Sequence, residues 1–571
     1  MKRQIILAVL VGAVLAYPNP DSKAVSQQNA SPTVTTPLGI IQGSILATRL
    51  GKPIYAFRGI QYAKAPINEL RFQPPVPVEK WEGNFNATVD GPACPQAGAS
   101  STSEDCLLLN VYTTKLPKGT ENEKRSVLVF FHAGGFHSGS GCSESLSPKY
   151  LLDEDIILVV PNYRLGALGF LSTGDKEAPG NLGLKDQVQA LKWVKENIAS
   201  FGGDPECVTI GGYSAGAASV TLHLVSPLSK GLFHKAIAMS GSSFGNWPVP
   251  QNQLELAKKQ AKLVSCPDDT PANIIKCLKN KTSDELAESV PKLKEFGSLD
   301  PALIWLPVIE QDFGQPRFLT AHPVELVLSD QFVKVPLLTG VTTDEFVSHA
   351  FAVTNNPKLS QDLDKNFEKN APIAFMYERD ADNSKTISKE LRKFYLEDKP
   401  LDNSSLAGLV QLYADGVIGF GVNRAAKLMA EKNNESVYYY RFNFKGRHSN
   451  FYLPDSNNTV PYGVAHLDDL IYLFQTPSSF SGYKESDPET DTIEKLTKMW
   501  ANFAKTGKPI SEQSEDLDNV KWEPFSTKNK KYLDIGNKLI LNENLNEKRY
   551  AEWEKLFPLS KYQGKNKKQH G

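Results

Sequence analysis

The sequence predicts an α/β fold, a large and mostly parallel central sheet with helices on both faces and long loop insertions. Three observations carry that expectation. Buried-strand patterns alternate with helical ones through the first half of the chain, the order that builds a parallel sheet covered on both faces. One strand pattern runs directly into a helical one through Gly212-Tyr213-Ser214-Ala215-Gly216, a sharp strand-to-helix turn. A second apolar strand pattern runs into His132-Ala133-Gly134-Gly135-Phe136, with paired glycines just past its end.

The elements follow in chain order. Met1-Lys2-Arg3 is a basic start, Ile5 to Ala16 is a short apolar core, and Val14-Leu15-Ala16 supplies small residues for cleavage, so 1–16 reads as a secretory signal. That apolar core is too short for a bilayer, which needs about 20 residues, and no later segment reads as a membrane span. A loose polar segment is expected over 17–35, and a flexible solvated tail over 561–571. Strands are expected at Val127 to Phe131, Ile156 to Asn162, Cys207 to Gly211, Phe233 to Met239, Val335 to Gly340 and Val437 to Phe444. Leu184 to Ser200 carries Val188, Leu191, Val194 and Ile198 at helical spacing, and Ala217 to Leu224 reads as a helix. Residues 355 to 405 are polar and mostly helical in pattern. A length of 571 residues would ordinarily argue for several domains. The candidate site residues span more than half the chain and must meet in one pocket, so 36–560 is expected to be one catalytic domain.

Composition narrows the function. The formal net charge is −1, and loss of Lys2 and Arg3 with the signal makes it −3. With no aromatic–basic run, nucleic acid is excluded as a partner. Sequons at Asn29, Asn86, Asn280, Asn403, Asn434 and Asn457 fit an exported glycoprotein, the five from Asn86 onward being the expected carriers. In an oxidising compartment the six cysteines invite disulfides, and Cys94–Cys106 and Cys266–Cys277 close short local loops. Cys142 and Cys207 are expected at opposite ends of the sheet. Five strand residues span about 16 Å, whereas a disulfide needs Cα atoms within roughly 7 Å, so both are expected to be free and largely buried. No His/Cys cluster has metal-ligand spacing, and no cofactor is implied.

The turn at 212–216 is tight enough that side chains at Gly212 and Gly216 would collide, and it lifts the Ser214 hydroxyl clear of the sheet as a nucleophile. Acyl transfer then needs backbone N–H groups aimed at the developing oxyanion. Gly134 and Gly135 let the backbone approach a substrate closely, and the amide of Ala215, the residue after the nucleophile, supplies another donor.

Several further stretches carry a resemblance: Phe57-Arg58-Gly59-Ile60-Gln61-Tyr62-Ala63, Leu70-Arg71-Phe72, Glu104-Asp105-Cys106-Leu107 with Leu109-Asn110, Asn162-Tyr163-Arg164-Leu165-Gly166, Gly180-Asn181 with Asp186-Gln187, and Phe201-Gly202-Gly203-Asp204-Pro205. From about Thr36 to Phe557 the chain resembles the type-B carboxylesterases, the carboxylesterase/cholinesterase branch of the α/β-hydrolases, and looks most like the secreted insect members. The resemblance implies the α/β-hydrolase fold, the same two disulfides, and ion pairs Arg58–Glu104 and Arg164–Asp186. It implies a secreted serine esterase acting on a small-molecule ester, with no cofactor. Chain order in this class is Ser, acid, His. The segment Gly463-Val464-Ala465-His466-Leu467-Asp468-Asp469-Leu470 matches the family's catalytic-His motif, its acidic run reading as a helix start favoured by the dipole. The resemblance places the acid at Glu345, in Gly340-Val341-Thr342-Thr343-Asp344-Glu345, with Asp344 the rival that composition does not separate from it.

The chain departs from the family at three positions. Tyr213 stands where most relatives have Glu, and where juvenile-hormone esterases usually have Gln. Ala133 replaces the first Gly of the oxyanion loop. Phe346 stands where Gly is frequent. Tyr213 and Trp247, the latter aligned with the family's acyl-pocket Trp, are expected to bind substrate. The loop from Pro95 to Asp105 has no aromatic to hold a quaternary ammonium by cation–π attraction, so choline esters are expected to be poor substrates. Other readings are a hormone- or odorant-degrading esterase of the same family and a non-catalytic adhesion-type member. Loss of Ser, His or acid would mark the latter, and all three residues are present.

Overall fold

The computed structural model describes residues 31–117 and 124–563. The expected signal at 1–16, the sequon at Asn29 and the tail beyond residue 563 lie outside the described residues.

Among the described residues, short runs that are mostly β-branched and apolar form fourteen strands: β1 Thr33–Thr36, β2 Gly39–Gln42, β3 Ser44–Ala47, β4 Pro53–Gln61, β5 Asn84–Asn86, β6 Leu108–Thr113, β7 Arg125–Phe131, β8 Ile157–Pro161, β9 Gly203–Tyr213, β10 Lys235–Met239, β11 Leu337–Thr342, β12 Val437–Phe442, β13 Lys531–Ile535 and β14 Leu539–Glu543. Eleven of them make one sheet in the order β14-β13-β12-β11-β10-β9-β7-β8-β6-β4-β3. From β8 across to β13 every pairing is parallel. The antiparallel strands lie at the two flanks. The central strands β8, β10 and β11 are buried along their whole length, which is why they read as continuous apolar runs rather than alternating ones. The helices Leu182–Asn197 and Ala215–Val225 pack into the core on one face. The helix Thr490–Thr506 covers the other, where Trp500 lies edge-on to Tyr440 with ring centroids 5.3 Å apart.

This geometry decides where a site can form. In open parallel sheets ligands bind beyond the carboxyl ends of the strands. The glycine loop follows β7, Ser214 follows β9, Glu345 follows β11, and the His466 segment follows β12 after a long excursion.

Several expectations are corrected. The loose segment ends earlier than 35, because Thr33–Thr36 pairs antiparallel with β2 and buries Val34. The tail begins later than 561, because Leu559–Tyr562 forms a 3-10 turn and Tyr562 stacks on His322 at 4.4 Å. Glu104 pairs with Arg71 rather than Arg58: the Arg71 Nε donates to Glu104 Oε2 at 2.8 Å, while the Arg58 Nη1 faces Asp90 at 3.1 Å. Arg164 and Asp186 do form the expected pair, bidentate and buried. Both expected disulfides are present. Cys142 and Cys207 are free but half-buried rather than buried. Cys207 lies on β9 well short of its C-terminal end, with the Lys235 Nζ 3.2 Å from its sulfur. The five described sequon asparagines are all exposed.

Candidate active site

Ser214 sits between the end of β9 and the first turn of the helix Ala215–Val225, with φ 55° and ψ −117°. Positive φ is rare for a residue with a Cβ and marks stored strain. The surroundings hold it there. The Ser214 N–H donates to the Met239 carbonyl at 2.9 Å. A Cβ on Gly216 would lie 2.1 Å from the Phe131 carbonyl oxygen, and one on Gly212 would lie 2.4 Å from Gly216 itself. The helix start therefore abuts the end of β7, where the glycine loop begins. Gly134 has φ 122° and Gly135 has φ 60°. The N–H groups of Gly134, Gly135 and Ala215 have no acceptor among the described residues. Gln96, in the loop closed by Cys94–Cys106, grips Gly139 at the far end of the glycine loop, accepting from its N–H at 2.8 Å and donating to its carbonyl at 3.0 Å.

His466 and Glu345 meet. The His466 Nδ1 is 2.5 Å from Glu345 Oε2, and Glu345 Oε1 accepts the Thr342 N–H at 2.8 Å. Glu345 is almost wholly buried, whereas the imidazole keeps some exposure. Asp344 turns the other way. It accepts the Val464 N–H at 2.9 Å, and its own N–H donates to the Val464 carbonyl at 2.9 Å. Burial raises its pKa. The neighbouring carboxylates thus divide between the imidazole and the backbone that carries it.

The residues after His466 do not begin a helix as expected; only the 3-10 turn Leu470–Tyr472 follows. The acidic run is spent on fixing the loop. Asp468 accepts from the Ala465 N–H at 2.8 Å, the Asn450 N–H at 2.6 Å and the Ser449 hydroxyl at 2.6 Å, and burial pushes its pKa up to about 6. Asp469 is fully buried, accepts the Tyr440 hydroxyl at 3.0 Å, and is pushed up by burial to about 7.

Tyr213 is a correction. It was expected to face substrate, but it is wholly buried. Residues alternate along a strand, and this one turns to the sheet face covered by Thr490–Thr506. Its hydroxyl accepts the Leu467 N–H at 2.8 Å, and its ring meets His466 edge-on at 5.1 Å. It props the histidine loop from below. Phe346 takes φ 54°, the left-handed conformation in which Gly costs nothing and Phe is strained. Its ring packs between those of His466, at 4.7 Å, and His349, at 5.0 Å. Trp247 is half-buried, donates its indole N–H to the Val417 carbonyl at 2.9 Å, and lines a cavity of about 580 Å³ that includes none of Ser214, Glu345 and His466.

The other described histidines are engaged elsewhere or differently placed. Burial pulls His132 and His137 down to about 4 and His223 to about 3. His349 pairs with Asp300 at 2.9 Å, and His448 stacks on Phe480. Sequence reading missed the roles of Asp344, Asp468, Asp469 and Tyr213 in holding the loop. The signal was present in two adjacent acidic pairs, Asp344-Glu345, which contains the expected acid, and Asp468-Asp469, which follows the expected histidine by two residues. Among the described residues no group of side chains could hold a metal ion.

Comparison with known proteins adds three findings. A model of the carboxylesterase family matches residues 30–553. The juvenile hormone esterase of Tribolium castaneum is 37% identical over 512 residues, 86% of each chain, and esterase FE4 of Myzus persicae is 37% identical over 498 residues, 85% of this chain and 86% of that one. The crystal structure of juvenile hormone esterase from Manduca sexta, with OTFP covalently attached, superposes with a TM-score of 0.81 at 28% identity, covering 93% of this chain and all of that one.

Proposed function

This chain belongs to the carboxylesterase family and is a carboxylic-ester hydrolase; on that premise we propose that it is a secreted serine esterase working through Ser214, His466 and Glu345. The observation that carries the reading is the 2.5 Å contact of His466 with Glu345, formed where the segments after β11 and β12 come together. Ser214 Oγ adds to the ester carbonyl carbon as the His466 Nε2 takes its proton. The oxyanion falls to the N–H groups of Gly134, Gly135 and Ala215, and losing one such donor costs about 3 kcal/mol of barrier. Collapse of the tetrahedral species expels the alcohol, which receives the proton from His466. Water then repeats the sequence on the acyl-enzyme and frees the acid. Glu345 fixes the imidazole tautomer and offsets its positive charge without taking the proton.

The signal at 1–16 and the exposed sequons at Asn86, Asn280, Asn403, Asn434 and Asn457 support export as a glycoprotein. Among the described residues no helix is long and apolar enough to cross a membrane. The relatives named as juvenile hormone esterases keep a hormone-degrading role in view, but one named simply an esterase matches as well. Ser214→Ala should abolish ester hydrolysis with the melting temperature nearly unchanged, and an organophosphate should label Ser214. Wild-type turnover in that variant, or a label on another residue, overturns the assignment.

A further inference from the structure

Away from the triad, the helix Leu182–Asn197 turns Lys185, Val188, Gln189 and Lys192 to one side, the spacing that shares a helical face. That face walls a cleft of about 410 Å³, closed on its other sides by the Phe72–Pro75 segment, Pro179, Leu228 and the Phe313–Pro316 loop. The volume is within the roughly 300–1,000 Å³ of small-molecule sites. None of Ser214, Glu345 and His466 lines it.

Its chemistry is one-sided. The walls are mainly apolar, and Phe313 is 45% exposed beside them, a large ring left to water. Three lysines line the cleft and no carboxylate does. Lys185 is already matched, its Nζ 2.6 Å from the buried Glu310 Oε2. Lys176 and Lys192 are exposed, and neither side-chain ammonium has an ion pair or hydrogen bond among the described residues. An apolar trench whose unmatched charges are all positive complements an anion with an aliphatic body. A cation would be repelled, and a polyanion would find two open charges and an apolar wall.

We propose that this cleft is a second binding site, separate from the catalytic one, for a free long-chain aliphatic carboxylate. The chain lies against Phe72, Pro75, Val188, Leu228 and Phe313, and the carboxylate meets Lys176 and Lys192. Burial of the chain supplies the non-directional attraction, and the lysines select the acid over its neutral analogues.

The test is calorimetric titration of the full chain with dodecanoate after organophosphate treatment, which occupies the catalytic serine. The expected result is a site that survives the treatment, weakens about tenfold in Lys192→Glu and in Phe313→Ala, and binds 1-dodecanol about tenfold less tightly than the acid, the scale of one interaction of ~1.4 kcal/mol. Both variants should hydrolyse a short neutral ester at the wild-type rate, which shows that they fold and keeps this outcome apart from the triad assignment. Loss of binding on organophosphate treatment, equal affinity for the alcohol, or unchanged binding in both variants overturns the site. Lys192-dependent sedimentation with phosphatidylserine vesicles but no dodecanoate binding overturns it in favour of a membrane surface.

Discussion

Glu345 and Asp344 are adjacent carboxylates with different work. Glu345 touches the imidazole, and Asp344 bonds the backbone at Val464 through both its side chain and its own N–H. Glu345→Gln should therefore lower kcat by about 10⁴-fold, the scale of a comparable swap in a serine protease. Asp344→Asn keeps a carbonyl oxygen for the Val464 N–H and should cost no more than about tenfold; similar losses in both variants would undo the distinction. Asp469 makes a second prediction, in stability. Burial lifts its pKa from the ordinary 3.8 to about 7. Between those values the folded state holds a proton that the unfolded chain has released, so its contribution to stability falls as pH rises from about 4 to about 7. Asparagine has no charge to expel. The melting temperature of Asp469→Asn relative to wild type should climb across that window and level off above it, whereas a pH-independent difference would mean that Asp469 titrates normally. Composition around residue 345 could not separate the two carboxylates, since both are acidic, adjacent and follow the same strand. Their separation comes from the path of a loop more than a hundred residues later.

The strand-to-helix turn shows why some elements were legible before any coordinates. Gly212 and Gly216 are written into the chain because a Cβ at either would meet backbone at 2.4 Å or less. Gly216→Ala must push the helix start away from the Phe131 carbonyl and carry Ser214 with it. A displacement of about 1 Å costs on the order of 100-fold in rate, so turnover should fall at least that far, with melting lowered as well. Gly231→Ala is the converse control: Gly231, unlike Gly216, has a left-handed φ of 76°, but a Cβ there meets nothing within 4 Å. It should cost about 1–2 kcal/mol of stability and leave turnover alone. If Gly216→Ala leaves turnover alone as Gly231→Ala does, crowding at the Phe131 carbonyl does not set the elbow's need for glycine. The parallel strands were equally plain, because burial on both faces forces continuous apolar runs. The histidine loop was not. Its shape depends on Asp468 reaching Ser449 and Asn450, on Asp344 reaching Val464, and on the Tyr213 hydroxyl meeting Leu467. Such contacts have no local period. For the same reason the acidic run after His466 was mistaken for a helix start. Strand β1 escaped because four residues are too few for alternation to register.

Across the whole molecule, a single guanidinium joins one disulfide-closed loop to the segment just beyond another, far apart in sequence. Arg71 donates through Nε and Nη2 to Glu104, inside the loop closed by Cys94–Cys106. Through Nη1 it donates to the carbonyls of Leu278, Lys279 and Lys281, the first of them 207 residues away. Those carbonyls end the helix Pro271–Leu278, which Cys277 ties to Cys266. Helix ends leave carbonyls unpaired, and a cation there is favourable. The side chains of Arg71 and Glu104 are only 10% and 12% exposed, so removing one leaves the other charge poorly solvated. Arg71→Ala should cost about 3–5 kcal/mol in denaturant unfolding with both disulfides intact. Arg71→Lys keeps the charge but loses the planar fork that serves carboxylate and carbonyls together, and should fall between. Hydrogen exchange should accelerate at 94–106 and 278–281 before it does in the central sheet. Gln96 shares the first of those loops and holds Gly139 at the end of the glycine loop, so kcat should drop alongside stability. A change in unfolding free energy below about 0.5 kcal/mol, the scatter of ordinary surface substitutions, would show that the disulfides alone hold this end of the molecule and that Arg71 merely fills space between them.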